Sequence, residues 1–435
     1  MERELIKSLI KWKVSQSRKP LILKGVRQCG KTYLLKEFGA RCYQDTAYFN
    51  FEENEALKTV FEKDYDIKRI IFELELQHGK KIQTENTLII FDEIQECGRA
   101  LTSLKYFCEN APEYHIVCAG SLLGIALRKQ LSFPVGKVAF MTLYPMSYVE
   151  FLRACGEENL ADFIQSFKKG DAIPEIAANK LEAFLRQYYI IGGMPEAVRS
   201  WSLAHDIEAA EQIQQNIINS YELDFAKHAP VNEFPKLQAI WRSIPEQLAK
   251  ENTKFIFSHV KKGWRAKDLE DALEWLIGAG LVYKVRRIEK PFIPLSSYAD
   301  DTAFKLYMAD VGILRKLSKL PYNIVLNSNT SYKEFKGSLA KNYVLGELVK
   351  SVDDTAYYWT SGNTAEVDFV IQCKEEIVPI EVKAEQHLKS RSLSEYRKKY
   401  APKHAVKTSM LGDAAGEDVL KIPLYMICTM PTCIK

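Results

Sequence analysis

The chain has 435 residues, 47% hydrophobic and 27% charged, with a formal net charge of +4. That length suggests two to four domains at about 100–200 residues each. The composition is that of a globular chain with material for more than one core. The charge is too mild to argue for nucleic-acid binding by itself, and no stretch reaches the roughly 20 apolar residues a membrane helix needs. Nine cysteines without a CxxC pair disfavour zinc and a disulfide framework, so a reducing cytoplasm is expected. The N-terminus, MERELIKSLIKWKVSQSRKP, lacks the apolar core and small-residue cleavage site of a secretory signal.

In chain order, residues 1–18 predict an amphipathic helix, with Leu5, Leu9 and Ile10 spaced for one face. KPLILKGVRQCGKTYLLKEF reads as strand, glycine-containing loop and helix. YFNFEEN (48–54) predicts a second strand. TLIIFDEIQ (87–95), HIVCAGSLLG (115–124) and VAFMTLYPMS (138–147) are further strand candidates. The first is a continuous apolar run ending in two acids, the pattern of a strand buried on both faces. Helical patterns alternate with these runs, which predicts an α/β layer around a parallel sheet. After about residue 148 the strand runs stop and helices follow to about 255, broken by the Gly-Gly and Pro of IIGGMPEAV (190–198). Residues 236–288 read as helices followed by the strand VYKVRRIE, compatible with a winged helix. The segment 320–333 is the best linker candidate. Then KGSLAKNYVLGELVKSV predicts a helix, and YYWT, EVDFVI and IVPIEVK predict strands.

GVRQCGKT (25–32) matches G-x-x-x-x-G-K-[ST] at Gly25, Gly30, Lys31 and Thr32, after a strand candidate and at the opening of a helix. Glycines let the backbone wrap around phosphate oxygens and present N–H groups to them, and the helix N-terminus adds positive potential. Gly25, Val26, Arg27, Gln28, Cys29, Gly30, Lys31, Thr32 and Tyr33 are therefore expected to line a bound ATP. Lys31 would reach the β and γ phosphates, and Thr32 would hold Mg²⁺. Cys29 reads as a small residue at a variable position rather than as a redox thiol. An acid at the end of a buried strand should complete the site. In LIIFDEIQ, Asp92 would hold the magnesium-bound water and Glu93 would polarise the attacking water. Ser121 stands where a polar side chain can touch the γ phosphate or that water, or can simply close a strand-end turn.

GVRQCGKTYLL, LIIFDEIQ, CAGSLL, SFPVGKV with LYPMSYVEF, YYIIGGMPEAV, KLYMADVGIL and AEVDFV…IEVKA together resemble the prokaryotic AAA-type P-loop ATPases with a C-terminal DUF4143 region. The resemblance implies an ATPase core at 1–155, a helical lid or linker region at 156–235, a winged-helix-like region at 236–330 and a small α/β domain similar to PD-(D/E)xK nucleases at 331–435. It gives Ser121 a sensor-like role. A trans-acting arginine would come from Arg128 or Arg153. Where relatives carry Gly-Arg this chain has Gly136-Lys137, and a lysine is a point charge rather than a fork. An unidentified protein partner and an oligomer are compatible with the resemblance.

The helix that would read DNA in a winged helix, KDLEDALEWLIG (267–278), carries Asp268, Glu270, Asp271 and Glu274 against one lysine. Phosphates would repel it, so it is expected to pack against protein. Lys261 and Lys262 read as a solvated loop. The segment 387–407 has seven Lys and Arg against one Glu and can contact a DNA backbone without base specificity, or serve as a solvated basic face. In AEVDFVIQCKEEIVPIEVKA (365–384), Glu381 and Lys383 share a strand face. A hairpin would bring Asp368 to them, the chemical logic of a Mg²⁺-dependent nuclease site. Relatives place a glutamate before the asparagine of the preceding helix, where this chain has Lys341 before Asn342. Glu347 lies about 240° further around that helix and cannot substitute. Lys341 is expected to repel metal or to pair with Asp368 or Glu381, leaving this site weakened or dead. The leading expectation is thus a Mg²⁺-dependent ATPase whose nucleotide state moves its C-terminal modules. The alternatives are a nucleotide switch with slow hydrolysis and an ATP-coupled DNA nuclease.

Overall fold

Continuous apolar runs bounded by turn residues become the buried strands of a parallel sheet in the computed structural model. It describes all residues except 121–133, 251–253, 328–332, 353–354, 363–364, 385–390, 411–418 and 435. The chain forms two units: Glu2–Tyr144 with Gly278–Leu281, here the N-terminal unit, and Met1, Pro145–Ile277 and Val282–Lys435, the C-terminal unit.

The N-terminal unit contains β1 (Leu21–Lys24), β2 (Asp45–Asn50), β3 (Thr87–Asp92), β4 (His115–Ala119) and β5 (Ala139–Thr142). They form one five-stranded sheet in the order β2-β3-β4-β1-β5, and every neighbouring pair is parallel. All six residues of β3 are buried, which is why its sequence does not alternate. Burying Leu88, Ile89, Ile90 and Phe91, each 0% exposed, contributes roughly 1.5–3 kcal/mol per side chain before conformational entropy is subtracted. β2 begins earlier and ends sooner than YFNFEEN suggests, because Asn54 turns the chain and caps the helix Glu55–Val60 by accepting from Ala56 N. Phe51 still packs on Phe61 and Phe91, with ring centroids 5.7 and 5.6 Å away. On another part of the unit, helix Leu5–Lys13 buries Ile6, Leu9 and Trp12, and the Trp12 ring meets Phe38 edge-on.

In the C-terminal unit, helices predominate from Tyr148 to Leu248. Tyr148, Tyr188 and Tyr343 interlock with centroids 5.8–6.3 Å apart. Tyr148 donates to Leu181 O (2.6 Å) and Tyr188 to Met146 O (2.5 Å). IIGGMP lies at the turn after helix Glu175–Ile191. There Gly193 N donates to the buried Asp310 carboxylate at 2.6 Å, so this loop and the ADVG segment form one polar knot.

The sheet of this unit has seven strands among the described residues, in the order β12-β11-β10-β9-β8-β6-β7. They are β6 (Val282–Ile288), β7 (Ala299–Met308), β8 (Tyr357–Thr360), β9 (Glu366–Cys373), β10 (Glu376–Val382), β11 (Val406–Ser409) and β12 (Leu420–Pro423). The sheet is mixed: β9–β10 is the expected antiparallel hairpin, whereas β6 pairs in parallel with β8 and antiparallel with β7. The strand VYKVRRIE is therefore built into the same sheet as the C-terminal hairpin. β7 was hidden in the sequence because its first half is polar and Lys305 interrupts its apolar half. In the linker candidate, Tyr322–Leu326 is helical and buries Val325. Among the described residues no helix is long and apolar enough to cross a membrane.

Candidate functional site

The loop between β1 and helix Lys31–Cys42 is shaped by two glycines. Gly25 has φ 152°, and a Cβ there would lie 2.2 Å from Leu143 O, so only glycine lets the loop approach the strand exit after β5. Gly30 caps the helix in the left-handed region at φ 93°. Gln28 also takes a positive φ of 64°. Cys29 is fully buried and donates its Sγ–H to Leu143 O at 3.4 Å. A thiol held this way is a packing element of the loop. Lys31, 7% exposed, folds back to donate to Gly25 O (2.9 Å) and Val26 O (3.0 Å). Tyr33 is exposed, and Val26 is buried while Arg27 is partly buried.

Thr32 and Asp92 meet although 60 residues separate them: Thr32 Oγ1 donates to Asp92 Oδ2 at 2.8 Å. Tyr48 OH donates to the same oxygen at 2.9 Å, and Glu93 N to Oδ1 at 3.1 Å. Asp92 is 3% exposed. Burial first, and the Asp92 carboxylate second, push the Tyr48 hydroxyl pKa up, so it remains a donor. Glu93 occupies the left-handed region at φ 48°, a conformation that costs about 1–3 kcal/mol in a residue with a Cβ and clusters at functional sites. Its Oε2 accepts from Gln95 Nε2 at 2.5 Å. Lys31, Thr32, Asp92 and Glu93 therefore stand at the C-terminal ends of β1 and β3, where open α/β sheets bind ligands. Thr32 and Asp92 supply hard oxygen donors, and Mg²⁺ takes one or two such protein ligands together with phosphate oxygens. The donor set fits that ion. Tyr48, Gln95 and Arg3 were not singled out in the sequence; Tyr48 and Arg3 are placed by contacts distant along the chain, whereas Gln95 bonds Glu93 only two residues away. Ser121 and Arg128 lie outside the described residues. Arg153 is tied to Glu158 Oε2 (3.0 Å), Asp162 Oδ1 (2.6 Å) and Gln165 Oε1 (2.9 Å). Lys137 pairs with Glu109 at 2.9 Å.

The second candidate cluster lies on β9 and β10. Asp368 and Glu381 stand one step beyond the Phe369–Ile380 pair of the hairpin. Lys341 Nζ contacts Asp368 Oδ1 at 2.6 Å, and Lys383 Nζ contacts Glu381 Oε1 at 2.6 Å. Of the two acids the sequence offered to Lys341, Asp368 takes it. Asn342 fixes this register by bonding both backbone groups of Met308, accepting from N (2.8 Å) and donating to O (3.1 Å). Asp368 Oδ2 also accepts from Val382 N at 2.8 Å. Burial alone would raise the Asp368 pKa, but Lys341 and then Lys305 hold it below the usual carboxylate range. Glu381 is raised, by burial and then by Asp368, and its Oε2 is buried without a hydrogen-bond partner. Lys305, absent from the sequence-level site, is fully buried and paired with Glu366. A lone lysine in an apolar strand was the available signal. Glu347 points elsewhere, accepting from Tyr148 N at 3.2 Å and from Lys350 at 3.0 Å. Among the described residues, no group of three or more His, Cys, Asp or Glu is arranged to hold a metal ion.

Residues 17–152 match the model of an AAA domain, and residues 336–425 that of a domain of unknown function, DUF4143. The chain is an AAA-domain protein with a C-terminal DUF4143 domain. Residues 182–323 of this AAA protein match a further domain of unknown function, DUF8612. No curated protein matches the chain. Among solved structures it is similar to a Walker-type ATPase of Pyrococcus abyssi, at 15% identity over 73% of this chain and 95% of that one, TM-score 0.47. It is also similar to the Aeropyrum pernix Orc1 protein in complex with DNA (13% identity, 74% and 92% covered, TM-score 0.27). A third similarity is to AMPPCP-bound DnaA from Aquifex aeolicus (13% identity, 63% and 86% covered, TM-score 0.25). TM-scores below 0.5 transfer neither ligand nor mechanism.

Proposed function

We propose that the AAA domain binds ATP with Mg²⁺ and hydrolyses it. The observation that carries this reading is the single hydrogen-bonded cluster of Thr32, Asp92 and Tyr48 beside the Lys31 loop, at the strand ends of a parallel sheet. Loop N–H groups and the helix N-terminus would receive the phosphates. Lys31 would leave Gly25 O and Val26 O for the β and γ phosphates, exchanging neutral acceptors for anionic ones. Thr32 and Asp92 would hold Mg²⁺, which when bound spreads the charge developing on the phosphate oxygens. Glu93, held by Gln95, would accept a proton from the attacking water. ATP turnover in wild type, Lys31→Ala and Glu93→Gln, with and without DNA, tests this. Lys31→Ala should abolish turnover; Glu93→Gln should keep ATP binding and slow turnover about 100-fold or more. Wild-type turnover no greater than that of Lys31→Ala would end the reading.

Nucleotide state is proposed to act on the C-terminal unit. Leu143, which borders the loop, is followed by Tyr144 and then by Pro145, the point at which the chain enters that unit. The β9–β10 cluster is proposed to be a nuclease-like scaffold without nuclease activity, because a lysine occupies Asp368 and would oppose a cation there. Mg²⁺- or Mn²⁺-dependent DNA cleavage that disappears in Glu381→Ala would refute this. A protein partner, rather than DNA, is proposed for helix Ala266–Gly278, whose exposed positions include Glu270 and Asp271. A cytoplasmic location is proposed from the free state of the eight described cysteines.

A further inference from the structure

Arg3 precedes the first helix and belongs to no motif, yet it is 5% exposed. Its Nη1 donates to Cys29 O at 2.8 Å and its Nη2 to Tyr144 O at 2.6 Å. One guanidinium thus joins the middle of the phosphate loop to the strand exit after β5. Its reach is fixed by the helix behind it: Ile6, Leu9 and Trp12 are buried, and Trp12 Nε1 donates to Lys19 O at 2.8 Å.

The chemistry of the joined peptide gives this contact its meaning. The carbonyl of Cys29 and the N–H of Gly30 belong to the same planar peptide group. A loop that turns N–H groups toward phosphate turns the matching carbonyls away, and a buried carbonyl needs a donor. Arg3 supplies a charged one. It fixes the plane of that peptide and polarises it, which strengthens Gly30 N–H as a donor on the opposite side. Lys31 holds Gly25 O and Val26 O only while its ammonium is turned inward. Once Lys31 moves to phosphate, Arg3 still fastens the loop to the strand exit.

We propose that Arg3 is a positioning residue for the phosphate loop, holding the Cys29–Gly30 peptide in its phosphate-binding orientation; this rests on the ATP-binding reading. A lysine is a poor replacement, because its one nitrogen cannot stand at the two separate positions from which Nη1 and Nη2 reach Cys29 O and Tyr144 O. The test compares Mg·ATP affinity, read with a fluorescent ATP analogue, and melting temperature in wild type, Arg3→Ala, Arg3→Lys, Lys31→Ala and Leu74→Ala. Leu74 is fully buried in helix Ile67–His78, so its truncation lowers stability without touching the loop's hydrogen bonds. Arg3→Ala and Arg3→Lys should each weaken affinity about tenfold, the scale of one lost charge-assisted hydrogen bond. Leu74→Ala should bind as wild type below its melting temperature, and millimolar guanidinium should restore affinity to Arg3→Ala. Wild-type affinity in a folded Arg3 variant would overturn the proposal, and so would an equal affinity loss in Leu74→Ala. If Arg3→Ala does not fold, Arg3→Lys decides. Binding by wild type no tighter than by Lys31→Ala would instead remove the ATP-binding reading and the role of Arg3 with it.

Discussion

Replacing Lys341 by methionine keeps most of the length of the side chain and removes its charge. It would leave Asp368, whose side chain is 6% exposed, facing Glu381 without the cation now 2.6 Å away. Coulomb's law at an effective dielectric of about 20 gives roughly 6 kcal/mol for that contact before desolvation. Desolvation of the ammonium offsets part of it, and the lysine side chain is itself 21% exposed. Breaking buried pairs costs about 3–5 kcal/mol, so a loss of about 3 kcal/mol at pH 7 is expected. The loss should depend on pH. In wild type the depressed pKa of Asp368 contributes stability that is complete above its unfolded value of about 3.9 and fades only as pH falls through the lower folded value. Without Lys341, burial, the largest influence on the group, and the neighbouring Glu381 outweigh the one remaining cation, Lys305, and the carboxyl pKa rises. The folded state then binds a proton that the unfolded state does not, and acidification from pH 7 to 5 recovers at least about 1 kcal/mol of the deficit. Urea unfolding followed by tryptophan fluorescence reads this, since five of the six tryptophans lie in the C-terminal unit. The double variant Lys341→Met with Asp368→Asn should regain most of the loss, as neutral replacement of a whole pair is often tolerated. A single-variant loss below about 1 kcal/mol, or one identical at pH 7 and pH 5, would refute the reasoning.

Gly192→Ala should lower the stability of the C-terminal unit by more than about 2 kcal/mol, read as a lower urea midpoint. The residue has φ 72°, and a Cβ would fall 2.2 Å from Asp310 Oδ1. His115 has its pKa lowered to about 4, by burial and then by Arg18 and Lys13. Because the folded value lies below the unfolded one, neutral His115 contributes stability above about pH 6.5 that is lost as pH falls towards 4, up to about 3 kcal/mol. His115→Gln should flatten that stretch of the stability profile of the N-terminal unit, measured by thermal unfolding at pH 7 and pH 5.

The phosphate loop, β3 with its two acids, and the β9–β10 hairpin were legible in the sequence because each depends on neighbours a few residues away. Glycine spacing, an uninterrupted apolar run and strand alternation are local consequences of backbone sterics and burial, and a single chain carries them openly. The Lys341–Asp368 pair was legible too, as one of two options, because helix and strand each fixed which way a side chain faces. What remained hidden depends on sequence separation. Arg3 reaches Cys29 across 26 residues and Tyr144 across 141, Tyr48 reaches Asp92 across 44, and Lys305 reaches Glu366 across 61. No periodicity encodes such partners, since the energy that selects them appears only when packing removes water from both groups. The same holds for the seven-stranded sheet, in which β6 lies beside β8. Local chemistry thus determined where the glycine loop falls and which strands carry the paired acids. Tertiary packing decided which cation sits on Asp368, which arginine braces the loop, and which strands share a sheet.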